Sequence, residues 1–183
     1  MARPPFTIRV FFALWPDAAA RERLAALACE VAARTKGRAP TAANLHVTVA
    51  FIGEVARERI DALSAIGASV AASAMPFEFL LDCTGTFRRT GIAWAGASVV
   101  PPPLTDLARD LFDALAAGDF VVEQRPLNPH VTLARRCKAP EVGKLAAPIA
   151  WTVASLALVA SDAASGAPRY RDLATWPLAA AMS

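Results

Sequence analysis

The sequence predicts an α+β fold of two pseudosymmetric lobes, each a mainly antiparallel sheet with helices on its outer face, around a central groove. Three observations carry that prediction. Strand-like apolar runs alternate with helical apolar stripes along the whole chain. The order strand, helix, strand, helix, strand is met twice, on approximate halves 1–85 and 86–183. The tripeptide His-Val-Thr occurs once in each half, at 46–48 and 130–132, and uses both histidines of the chain. Residues 1–183 therefore read as one bilobal domain with an internal duplication.

The elements follow in order. IRVFFALWP (8–16), rich in β-branched and aromatic residues, is a buried strand ended by Pro16-Asp17. Leu24, Leu27, Ala28 and Val31 then recur at i, i+3, i+4 and i+7, an amphipathic helix that stops near Lys36-Gly37. After Pro40 comes the first HVT strand, closed by Gly53, and a helix with Ile60, Leu63, Gly67 and Val70 on one stripe. A strand near Phe77 to Leu81 completes this half. The second half opens with a strand through GIAWAGASVV (91–100). Pro101-Pro102-Pro103 starts the next helix, since proline is tolerated in a first turn but not in a helix interior. That helix carries Leu104, Leu107, Leu111 and Leu115. A strand around FVVEQ (120–124), the Asn128-Pro129 turn, the second HVT strand, a short helix at Glu141 to Leu145 and a strand through WTVASLALVA (151–160) follow. YRDLATWPL (170–178) adds an edge strand. Alternating helices and strands also suit a parallel sheet, but no Gly-rich phosphate loop follows any strand, which favours antiparallel pairing.

A chain of 183 residues, 55% hydrophobic and 19% charged, has enough apolar surface to bury a core without metals or disulfides. Cys29, Cys83 and Cys137 are odd in number and lack CxxC spacing, which fits three reduced thiols rather than a disulfide framework or a cysteine zinc site. Net charge +3 favours an anionic partner through long-range attraction. No apolar run approaches the roughly 20 residues of a membrane span, and Val10 to Trp15 is too short for a signal-peptide core. The expectation is a cytoplasmic protein with no membrane contact.

Both histidines fall before Val-Thr by chance only about 2 times in 100,000 at this composition, which argues for a duplicated site. Side chains alternate faces along a strand, so His46 and Thr48 point one way and Val47 and Val49 point the other; His130 and Thr132 repeat the pattern. Two such strands facing each other present two imidazoles and two hydroxyls. Imidazole titrates near neutral pH, so one of the pair can donate a proton while the other accepts one. That arrangement suits in-line displacement at phosphorus, with Thr hydroxyls on the non-bridging oxygens. Two histidines without Asp, Glu or Cys at ligand spacing leave a metal short of partners, so no metal and no cofactor are expected.

At these residues the chain resembles the 2H phosphoesterase superfamily, and within it the RNA 2′,3′-cyclic phosphodiesterases, historically named 2′-5′ RNA ligases. The resemblance runs through RVFFALWPD, NLHVTVAFIGEV, FRRTGIAWAG, RPLNPHVTLARR and RYRDLATWPL. It implies opening of RNA 2′,3′-cyclic phosphate ends to 2′-phosphates without a metal, with reversible 2′-5′ ligation as a second activity. By the same resemblance His46 is the general acid for O3′ and His130 the general base for water. Thr48, Thr132 and Arg135 hold the phosphate, and Phe51 stacks on the nucleobase. An offset of five from each histidine puts Phe51 and Arg135 on the wrong face of a regular strand, so each needs a bulge or a strand end to reach the groove. Arg38, Arg88, Arg89, Arg136 and Lys138 are candidates to extend an RNA path. Asn44 and Asn128 read as strand-entry residues that hydrogen-bond the backbone.

Two rival functions share the groove. One is phosphodiester hydrolysis on small cyclic nucleotides; the other is a non-catalytic RNA-end-binding module. A lobe pair that completes its own groove is expected to be a monomer whose partner is RNA with a 2′,3′-cyclic phosphate end.

Overall fold

The computed structural model describes residues 7–122, 126–162 and 169–179. Among them are eight strands, β1 (Thr7–Leu14), β2 (Val47–Ala56), β3 (Phe77–Phe87), β4 (Ile92–Gly96), β5 (His130–Ala134), β6 (Gly143–Val153), β7 (Ser155–Asp162) and β8 (Arg169–Pro177). Three α-helices accompany them, α1 (Ala18–Thr35), α2 (Ile60–Ser73) and α3 (Pro102–Ala117). Each helix boundary has a local cause. The Asp17 carboxylate accepts from the Ala20 N–H at 2.8 Å and starts α1. Lys36, in the left-handed region at φ 54, ends it, with the Gly37 N–H returning to the Ala32 carbonyl at 2.9 Å. Prolines in the first turn start α3, whose stripe of Leu104, Leu107, Leu111 and Leu115 is buried. In α2, Gly67 lets the helix close on β8: a Cβ there would lie 2.4 Å from the Trp176 ring.

The strands form one antiparallel sheet in the order β6-β3-β4-β5-β2-β1-β7-β8. It divides into two groups of four, β6-β3-β4-β5 and β2-β1-β7-β8, joined by the single pair Val47 and Val131. Ala154 alone separates β6 from β7, which stand six strand steps apart in that order. A flat sheet would hold them about 29 Å apart, whereas two residues of chain reach about 7 Å. The sheet therefore folds back on itself, and its two groups face each other as two lobes. Each group draws strands from both halves of the chain. The helices cross over too: α1 packs on β5 and β6, while α3 packs on β2 and α2. One large core lies between helices and sheet. The opposite face carries a smaller apolar floor of Phe11, Ala13, Ala157 and Val159 under Trp15 and Tyr170.

The α+β class, the antiparallel pairing and the three long helices match the sequence reading. Three elements do not. The strand read through WTVASLALVA (151–160) is two strands, because β6 ends at Val153 and β7 begins at Ser155, with Ala154 between them. Glu141 to Leu145 is no helix: Gly143 already belongs to β6, which pairs with β3 along its length. β3 runs on to Phe87, and its far end takes up the segment, with the Glu141 N–H donating to Thr86 Oγ1 at 2.6 Å. Nor do Phe120 to Val122 form a strand, and Glu123 and Gln124 lie outside the described residues. The apolar signal there serves packing instead, since buried Phe120 sits under the Arg59 guanidinium, 3.8 Å from its ring centre.

Candidate active site

β2 and β5 meet at Val47 and Val131, so the histidines just before those valines are brought together at the join of the lobes. Each imidazole is fixed in the same way. His46 Nδ1 lies 2.7 Å from the Asn44 carbonyl, and His130 Nδ1 lies 2.7 Å from the Asn128 carbonyl. A carbonyl only accepts, so Nδ1 carries the proton in both rings and leaves Nε2, on the far side, to exchange protons. The asparagines thus act on the histidines through their backbone. His46 Nε2 is 3.1 Å from Thr48 Oγ1, which donates to it while the ring is neutral.

Aromatic side chains box both rings. Phe11, Trp15 and Tyr170 stand 5.0, 5.4 and 5.0 Å from His46 between ring centres. Phe87 and Trp94 stand 5.0 and 6.3 Å from His130. Loss of water costs the charged form, so burial pushes His46 down to about 4, against the weaker opposing pull of the Asn44 carbonyl and aided by the positive charge of Arg135. Burial, again helped by Arg135, also lowers His130. Both shifts favour the neutral ring at pH 7.

The two residues five places beyond the histidines reach the same cleft by the same device. β2 pairs Phe12 with Ala50 but Ala13 with Thr48, so Val49 is an extra residue, a β-bulge. Val49 and Ala50 are consequently both buried in the core, and Phe51 returns to the groove face, 43% exposed. β5 repeats this: β4 pairs Ala93 with Ala134 but Trp94 with Thr132, leaving Leu133 extra. Leu133 and Ala134 are both buried, and Arg135 emerges exposed. The backbone of Arg135 is held by Arg38, just past the end of α1, in an isolated antiparallel bridge: the Arg38 N–H donates to the Arg135 carbonyl at 2.8 Å and the Arg135 N–H to the Arg38 carbonyl at 2.9 Å. Gly37 permits this approach, because a Cβ there would lie 3.0 Å from the Arg135 carbonyl oxygen.

His46, Thr48, Phe51, His130, Thr132 and Arg135 all line one cleft of about 450 Å³. Arg9, Phe11, Ser161 and Tyr170 also line it, and the sequence reading did not single them out. In FFALW every position looks buried, which hid the fact that Phe11 and Ala13 face the groove while Phe12 and Leu14 face the main core. The Arg9 guanidinium lies 4.8 Å from the centre of the Phe51 ring. Of the cations considered for an RNA path, Arg88 and Arg89 line a neighbouring cleft, while Arg38 contributes its backbone to Arg135. Among the described residues no three His, Cys, Asp or Glu side chains gather as metal ligands, and no helix is long and apolar enough to cross a membrane.

The family model for the 2'-5' RNA ligase superfamily matches residues 15–164. The RNA 2',3'-cyclic phosphodiesterase of Escherichia coli (strain K12) is 33% identical over 173 residues, covering 93% of this chain and 96% of its own length. The protein of the same name from Geobacillus stearothermophilus is 32% identical over 145 residues, covering 74% of this chain and 46% of its own. Among solved structures, E. coli LigT in apo form matches with a TM-score of 0.84 at 32% identity, covering 94% of this chain and 98% of that one.

Proposed function

The chain belongs to the 2'-5' RNA ligase superfamily, and from that premise we propose that it hydrolyses RNA 2′,3′-cyclic phosphate ends to 2′-phosphomonoesters by two-histidine acid and base catalysis. The observation that carries the reading is the pair of imidazoles in one cleft, each with Nδ1 tied to a carbonyl two residues back and Nε2 left for proton exchange. The names of the E. coli and G. stearothermophilus relatives support the substrate class.

Neutral His130 takes a proton from water at Nε2 as the water oxygen bonds to phosphorus. The P–O3′ bond breaks in line, and His46 Nε2 gives its proton to O3′. A 3′-hydroxyl and a 2′-phosphate result. His46 must be charged for this step, although burial lowers its proton affinity. An anionic phosphate beside the ring favours the imidazolium, so His46 becomes the acid when substrate binds. Thr48, freed from His46 Nε2 once that nitrogen is protonated, turns its hydroxyl proton to a phosphate oxygen. Thr132 serves a second oxygen and Arg135 supplies charge. Phe51 gives the nucleobase a stacking face. The same displacement with a 5′-hydroxyl in place of water joins two RNA ends by a 2′-5′ linkage, and its reverse cleaves that linkage.

In this reading 1–183 works as one bilobal domain derived from two copies, near 1–85 and 86–183. The duplicated Asn carbonyl contact and the duplicated bulge support it.

The test is incubation of an RNA oligonucleotide ending in a 2′,3′-cyclic phosphate, with excess EDTA, beside His46→Ala and His130→Ala. Wild type is expected to leave a 2′-phosphate end and neither variant to do so. Binding without turnover in wild type would sink the enzyme reading.

A further inference from the structure

Two larger clefts flank the one that holds the histidines, and their chemistry differs. A cleft of about 840 Å³ adjoins His130 and is walled by Phe51, Phe87, Phe112 and Leu127, with Arg88 and Arg89 on its lining. On the His46 side a cleft of about 890 Å³ contains Arg9, Arg57, Arg169 and Arg171 against two carboxylates, Glu54 and Asp162. Four arginines against two acids leave two positive charges in excess. This second cleft is continuous with the catalytic one, because Arg9, Ser161 and Tyr170 line both.

Resting on the function proposed above, we infer that the arginine cleft is the subsite for the phosphodiesters of the RNA body, on the 5′ side of the nucleotide that bears the cyclic phosphate. In-line displacement puts the attacking water and the departing O3′ on opposite sides of phosphorus. With water beside His130 and O3′ beside His46, the ribose lies on the His46 side. A cyclic phosphate closes the 3′ end, so the rest of the RNA leaves through O5′ of that ribose, also on the His46 side.

The floor there is rigid. Glu54, Arg9, Ser161 and Tyr170 are direct cross-strand partners in β2, β1, β7 and β8, so they form one row on one face of the sheet. Tyr170, at the end of the row, is 5.0 Å from His46 between ring centres. Arg9 stands two residues along β1 from Phe11, about 6.6 Å along the strand. Arg9, the arginine of that row, stands one row beyond the catalytic box, and Arg57, Arg169 and Arg171 line the same cleft, where guanidinium can recognise the oxygens of the next phosphate in pairs.

The experiment compares a nucleoside 2′,3′-cyclic phosphate with a trinucleotide ending in the same group, across a salt series. It uses wild type, Arg57→Ala/Arg171→Ala and Arg88→Ala/Arg89→Ala, and adds anisotropy binding of a labelled trinucleotide 2′-phosphate. Wild type is expected to turn over the trinucleotide with kcat/KM about tenfold above the mononucleotide, as one or two charge-assisted contacts give. Arg57→Ala/Arg171→Ala loses that advantage, keeps the mononucleotide rate, and flattens the salt slope by about 0.7 per phosphate contact removed. Absence of a length effect in wild type, or its loss only in Arg88→Ala/Arg89→Ala, overturns the proposal. If no cyclic phosphate of either length is hydrolysed but trinucleotide binding still falls in Arg57→Ala/Arg171→Ala, the catalytic reading fails and the arginine cleft stands.

Discussion

Substituting Tyr170→Ala removes one wall of the box around His46 and lets water reach the ring. His46 is held at about 4 where an exposed histidine titrates near 6.5, a gap of about 2.5 pH units whose first cause is burial. At about 1.4 kcal/mol per pH unit that is a preference of about 3 kcal/mol for the neutral ring. Three rings, Phe11, Trp15 and Tyr170, crowd His46 at 5.0 to 5.4 Å. If they exclude water about equally, losing one returns roughly a third of the gap, and the variant titrates near pH 5. The chain has two histidines, so proton NMR of the imidazole Cε1–H gives two titrating signals, and His46→Gln assigns them. His130, boxed by Phe87 and Trp94, is the internal control and keeps its midpoint. A wild-type His46 signal near 6.5, or one unmoved in Tyr170→Ala, would refute the account of how this site sets its proton affinity.

Three further outcomes follow from the same geometry. Both histidines are lowered in the free protein, so the bell of kcat/KM against pH, which reports the free enzyme, is expected to centre below 6.5 and the kcat bell to sit higher, since bound phosphate favours imidazolium; a kcat/KM optimum above pH 7.5 contradicts it. A depressed histidine makes the unfolded chain bind more protons between its two midpoints, so the stability is full above pH 6.5 and is lost as pH falls toward 4; His46 alone should cost about 2 kcal/mol between pH 7.5 and 5, read as the part of the urea midpoint drop that His46→Gln removes, with the part due to His130 remaining. In Gly85→Ala the new Cβ would lie 2.2 Å from the Trp94 ring, which packs beside His130, so stability should fall by about 1–3 kcal/mol and turnover with it, and an unchanged melting temperature would contradict the packing described.

Much of this arrangement is legible in the sequence because it is written twice. His-Val-Thr at 46 and 130 places the paired side chains by strand parity alone, and helical stripes such as Leu104, Leu107, Leu111 and Leu115 locate helices without knowledge of their partners. Long-range pairing is not written in that way. Glu141 to Leu145 carries a weak helical pattern, and only the edge of β3 opposite β4 makes its second half enter a strand. Phe120 to Val122 reads as a strand because its apolar residues cannot announce that one of them lies under Arg59. Arg9, Ser161 and Tyr170 are far apart in the chain and become neighbours only through the β1–β7–β8 ladder.

The offset of five shows where local reasoning stops and what it still yields. Strand parity forbids Phe51 and Arg135 from sharing a face with the histidines, and the groove requires them there. A bulge resolves the conflict, and it occurs directly after each His-Val-Thr, at Val49 and at Leu133. Each is followed by alanine, Ala50 or Ala134, buried beside the bulged residue. The repeated unit is therefore six residues long, HVTVAF and HVTLAR, with a small buried residue at the fifth position. Only the sixth residue differs in kind between the copies. One hexapeptide thus offers an aromatic face and the other a cation to the same cleft, so, under the function proposed above, two like segments can receive a substrate that is itself unlike at its two ends, base at one and phosphate at the other.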